Sequence, residues 1–99
     1  MKNTLPDVSI VITNYNYGKY LSRAIRSCLN QKNVNHEVIV VDDCSTDNSI
    51  DVVASFGERV RLLCTEKNSG VAVASNLGIS SSLGQFFIRV DADDFVSSE

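Results

Sequence analysis

The segment Val90-Asp91-Ala92-Asp93-Asp94 places three carboxylates within four residues, directly after an apolar run. Like charges at that range repel and raise one another's pKa values. A hard divalent cation offsets that cost, because Mg²⁺ and Mn²⁺ favour carboxylate oxygens. In an extended turn Asp91 and Asp93 project to the same side, so they can share one ion, or one can hold the ion while the other meets a sugar hydroxyl. A second acidic pair, Asp42-Asp43, follows the apolar run Val38-Ile39-Val40-Val41. An isolated Asp-x-Asp is ordinarily a solvated acidic turn. Its position after a buried strand, opposite a second acidic pair, favours a metal and a polar ligand on one rim of a sheet.

The remaining polar groups divide between structure and ligand binding. Asp43 suits acceptance of a pyrimidine ring N–H, whereas Asp42 suits an N-cap or Asx-turn at the next helix. Tyr15 and Tyr17 flank the turn after the first apolar run. An aromatic ring there can stack on a nucleobase, an interaction of about 1–3 kcal/mol for stacked bases. One of the two is expected to pack over the following helix instead. Asn68-Ser69-Gly70 offers either backbone N–H groups to a ligand or a plain helix cap. Cys28, Cys44 and Cys64 contain no Cys-x-x-Cys pair, which argues against structural zinc and for three reduced thiols. Cys44, beside two acids, is a poor nucleophile. His36 reads as an ordinary surface or loop histidine.

These residues need elements to hold them. Val8 to Asn14 is β-branched and nearly continuously apolar, as a strand buried on both faces is. From Lys19 to Gln31, Tyr20, Leu21, Ala24, Ile25, Cys28 and Leu29 recur at helical spacing. A second strand runs from Val34 or Glu37 to Val41. Ser45 or Thr46 is expected to cap a helix that turns Ile50, Val53, Ala54 and Phe56 to the sheet and ends at Gly57. Val60–Thr65 predicts a third strand. A small-residue helix then opens at residues 68–70 and runs to about Ser82, with Val71, Ala74, Leu77 and Gly78 inward. Gln85–Val90 predicts the fourth strand. The β-α-β-α-β-α-β order implies an α/β fold: three α/β/α layers around a mostly parallel, Rossmann-like sheet. Ligands of such sheets bind at the strand carboxyl ends, near a switch in strand order.

Ninety-nine residues, 43% apolar and 21% charged, make one small domain. The net charge of −3 argues against nucleic acid, which requires a basic footprint. The apolar stretch Val8–Ile12 is too short for a signal-peptide core, and nothing approaches the roughly 20 apolar residues of a membrane span. The expected location is cytoplasmic, with a longer parent at the cytoplasmic face of a membrane.

Five blocks in register resemble the amino-terminal half of a family 2 glycosyltransferase of the GT-A fold. They are Val8–Asn16, Val40-Val41-Asp42-Asp43-Cys44-Ser45-Thr46-Asp47, Asn68-Ser69-Gly70, Asn76-Leu77-Gly78-Ile79 and Asp91-Ala92-Asp93-Asp94. The resemblance implies that Thr13, Tyr15 and Asp43 contact the nucleoside base, with Asn68 and Gly70 lining its pocket. It implies Asp91 near the ribose and metal, Asp93 as the main ligand of Mn²⁺ or Mg²⁺, and Asp94 as a further metal candidate. The implied donor is a nucleoside diphosphate sugar, UDP-linked by preference, and the implied acceptor is a sugar or lipid. The family often carries Arg where this chain has Ser75. Its catalytic base lies in a second half past Glu99, so no catalytic residue is expected here, and residues 1–99 are expected to act as the donor-binding part of an inverting transferase. With that half missing, the fourth strand would have a bare edge and self-associate. A non-catalytic nucleotide-binding module is the rival reading. A phosphatase of the haloacid-dehalogenase type would put Asp-x-Asp on the first strand, and a receiver domain would put its acidic pair there. A sugar nucleotidyltransferase would open with a Gly-rich basic loop.

Overall fold

The computed structural model describes residues 5–31 and 34–93. Strand β1 is Val8–Asn14, followed by helix α1, Gly18–Leu29, and strand β2, His36–Asp42. Helix α2 is Ser49–Ala54, and strand β3 is Arg61–Cys64. Helix α3 is Val71–Ser81, and strand β4 is Phe86–Asp91. All four strands are parallel, in the order β3-β2-β1-β4. The chain therefore steps outward from β1 to β3, then returns to pair β4 on β1's other side. That reversal between β1 and β4 is the switch point at which α/β sheets bind ligands.

The strand period of two divides the core into two layers. Ile10, Ile12, Val38, Val40 and Val90 face one side, where α1 contributes Leu21, Ile25 and Cys28 and α2 contributes Val53. Val11, Ile39 and Val41 face the other, against Ala74 and Leu77 of α3. The result is the expected α/β/α sandwich. Full burial of each Ile or Leu side chain contributes about 1.5–3 kcal/mol, and Leu21, Ile25, Ile12 and Ile39 are fully buried. Gly78 lets α3 lie close on the sheet, since a β-carbon there would collide with the Val11 and Val41 methyls.

Several expected details differ. The second helix does not start at Ser45 or Thr46. The Asp42 carboxylate accepts from the Ser45 backbone N–H and hydroxyl, and Asn16 Oδ1 accepts from the Thr46 and Asp47 N–H groups. Those bonds spend on a loop the groups that a helix would need. The shorter α2 turns Val53 inward with Phe56 beyond it, but leaves Ile50 37% exposed and Ala54 on the surface. Gly57 opens a 3₁₀ turn rather than closing α2. Val71, expected inward, is 55% exposed, because it opens α3 and faces the cavity at the strand ends rather than the sheet. His36 begins β2 half-buried, and its ring nitrogens meet the carbonyls of Cys28 at 2.8 Å and Val34 at 3.0 Å. It ties the end of α1 to the sheet instead of standing free. Among the described residues no helix is long and apolar enough to cross a membrane.

Candidate functional site

A cavity of about 350 Å³ opens at the carboxyl ends of β1 and β4. Strand β1 and its turn supply Thr13, Asn14, Tyr15 and Tyr17, and the end of β2 supplies Asp43. Strand β4 and its turn supply Arg89, Asp91, Ala92 and Asp93, while Val71 and Ala74 of α3 form the apolar wall. The two acidic clusters thus meet in one hollow.

The parallel register explains the first contact. Thr13 pairs with Asp91, so both side chains leave the same face. The Thr13 hydroxyl donates to Asp91 Oδ1 at 3.1 Å, and the Arg89 guanidinium reaches the same oxygen at 2.9 Å. Among the described residues Asp91 Oδ2 has no partner, and Asp93 stands exposed at the turn. Two carboxylates at an open mouth suit a small divalent ion that keeps part of its water shell. Among the described residues no three His, Cys, Asp or Glu side chains converge on one point. Asp94, the third metal candidate, lies outside the described residues.

Asp43 is buried yet charged. Its Oδ1 accepts from the Thr65 hydroxyl at 2.7 Å and the Ser69 N–H at 3.0 Å, and its Oδ2 accepts from the Gly70 N–H at 2.8 Å. Burial pushes its pKa up, but these three donors outweigh it and hold the carboxyl below its ordinary value. A carboxylate has about four lone-pair sites, so about one remains for a ligand. Gly70 can turn its N–H this way because it adopts φ +94°. Asn68 and Gly70 are not on the cavity wall. Gly70 acts one step back, through Asp43, and Asn68 is exposed.

Asp42 is tied into the structure, accepting from Asn14 Nδ2 at 2.8 Å and from Ser45. Tyr15 and Tyr17 both line the hollow and are 41% and 43% exposed. Tyr17 leans on Tyr20 of α1, with ring centroids 6.3 Å apart, which leaves Tyr15 as the free stacking face.

Asp47 closes the Val40–Asp47 sequence block, and its role is visible only in the fold. It accepts from the Gly18 N–H at 2.9 Å and from Ser49, pinning the start of α1 to the loop before α2. Burial raises its pKa, and these donors pull it below the ordinary range. Asn16, at φ +59°, bridges the same two loops. Arg89 likewise shows its role only in the fold, beside Asp91. An arginine two residues before an aspartate on the same strand face was the available signal.

A model of the family described as "Glycosyl transferase family 2" matches residues 9–99. The chain belongs to this family. A Haemophilus influenzae protein described as an uncharacterized glycosyltransferase is 39% identical over 98 residues, covering 96% of this chain and 39% of its own length. Glycosyltransferase GlyG of Streptococcus pneumoniae is 44% identical over 92 residues, covering 90% of this chain and 31% of its own. The crystal structure of S. aureus TarS 1–349 in complex with UDP-GlcNAc superimposes with a TM-score of 0.88 at 31% identity, covering 94% of this chain and 28% of that one. The chain thus spans less than half the length of these relatives.

Proposed function

We propose that residues 1–99 form the donor-binding part of a glycosyltransferase that moves a sugar from a nucleoside diphosphate to an acceptor hydroxyl with inversion. The observation that carries this reading is the convergence of Thr13, Tyr15, Asp43, Asp91 and Asp93 on one cavity at the β1/β4 switch point. Tyr15 stacks on the base, and the free lone pair of Asp43 accepts the ring N–H of uracil. The complex of S. aureus TarS with UDP-GlcNAc supports a UDP-sugar.

Asp93 and Asp91 would hold Mn²⁺ or Mg²⁺, with Asp94 as a further candidate. Such an ion, when bound, offsets charge on the departing diphosphate. Thr13 orients Asp91 through its hydroxyl, and Val71 and Ala74 exclude water from one wall. None of the cavity carboxylates is placed as the base that deprotonates the acceptor. Asp43 has three of its roughly four lone-pair sites taken by loop donors and Asp91 is held by Thr13 and Arg89. That base, and the acceptor sugar or lipid, belong to a second region of a longer parent.

Calorimetry with UDP, GDP and ADP, each with and without MnCl₂, tests the reading. UDP is expected to bind best and only weakly without metal, and the Asp93→Asn variant to lose the metal dependence. Equal heats for all three nucleotides, unchanged by metal, would reject it.

We also propose that the 99-residue chain self-associates along β4. Among the described residues that strand lies at the sheet's edge, with Phe86, Phe87 and Ile88 65%, 52% and 49% exposed. An apolar edge with unpaired backbone groups recruits another strand.

A further inference from the structure

Arg89 is the part of the cavity that the donor-binding reading leaves unused. It pairs in register with Val11, so its side chain leaves β4 on the α3 face. Thr13 and Asp91 leave on that same face. Among the described residues it is the only cation lining the hollow, against Asp43, Asp91 and Asp93. Its Nη1 sits 2.9 Å from Asp91 Oδ1, with the two side chains 46% and 48% exposed. A half-exposed pair of this kind is held weakly.

A divalent ion arriving at Asp91 would meet that guanidinium across one carboxylate, and the repulsion between the two cations would expel it. Asp43 offers Arg89 little, because three donors already occupy its oxygens and the one remaining lone pair is the nucleobase's on the reading above. The next anion to enter is the diphosphate, whose oxygens match a guanidinium fork. We propose that Arg89 screens Asp91 in the empty cavity and transfers to the donor's diphosphate once a metal takes Asp91. Metal and nucleotide binding are then coupled through one side chain, and the coupling is reciprocal. The inference rests on the donor-binding reading above.

The Arg89→Met variant keeps the aliphatic stem and removes the charge. Free Mn²⁺, followed by its paramagnetic resonance signal, is expected to bind this variant about two- to fivefold tighter than wild type, since its competitor is gone. UDP at saturating Mn²⁺ is expected to bind about tenfold more weakly in calorimetry. Uridine, which has no phosphate, is expected to bind unchanged. A purely structural Arg89 would move metal and UDP affinity in the same direction or leave both alone, and either result overturns the proposal. Wild-type chain that takes up neither Mn²⁺ nor UDP overturns the donor-binding reading itself, and this inference with it. Circular dichroism checks the fold, and Arg89→Gln replaces the methionine variant, with the same expected signs, if that variant does not fold.

Discussion

Asp43→Asn is the most informative single change, because it separates the loop-holding role of this residue from any role toward a ligand. The substitution keeps size and shape. One amide oxygen can still accept from Thr65 and Ser69, but the amide nitrogen then faces the Gly70 N–H, donor against donor, at a position now 2.8 Å apart. Losing a hydrogen bond to a buried charged acceptor costs about 1.5–3 kcal/mol. For a domain of this size a loss of about 2 kcal/mol lowers Tm by about 10 °C. Thermal and urea unfolding followed by circular dichroism at pH 7 measure both quantities. The pH dependence supplies a second check. The three donors hold the folded pKa of Asp43 below its unfolded value, which is near ~3.9 for a free aspartate. Its stabilisation is therefore complete above the unfolded pKa and is lost as pH falls through the folded pKa. The gap between wild type and variant should narrow below about pH 4 and stay constant above pH 5. A variant within 0.5 kcal/mol of wild type at pH 7 (about the size of a neutral surface change) would refute the reasoning. So would a gap that widens in acid.

Two further outcomes follow from the same geometry. Replacing Phe87 or Ile88 with Lys puts a charge on the exposed β4 edge and should convert a self-associated 99-residue chain to monomer by light scattering; wild type that is monomeric at high concentration refutes the edge-pairing proposal. Thiol labelling at pH 8 should modify the exposed Cys64 slowly, because burial, Asp42 and Cys44 raise its pKa; Cys28, buried and pushed up to about 11, should react only on unfolding, and labelling of Cys28 at the Cys64 rate would contradict the packing of α1.

Much of the fold was legible because local periodicity and burial agree. Strand β1 spans the residues its β-branched run predicts, and the cores of α1, β2, β3, α3 and β4 lie where expected, within a few residues at the ends. A strand buried on both faces has to be apolar throughout, and a helix against a sheet has to repeat near 3.6 residues. Those demands act on neighbours in sequence, so sequence displays them. The acidic clusters were visible for the same reason, as carboxylates following apolar runs.

What only the tertiary structure decided are relations between residues far apart in the chain. The start of α2 moved because Asn16, some 30 positions away, takes the N–H groups of Thr46 and Asp47. His36 became a brace because the end of α1 folds back beside it. Asp43 became the anchor of the loop ahead of α3, and Arg89 became the partner of an oxygen shared with Thr13. Hydrogen bonds of this kind depend on distances of about 3 Å, set only once the parallel register aligns β1 with β2 and β4. Composition and spacing list the donors and acceptors, but the sheet chooses which of them meet.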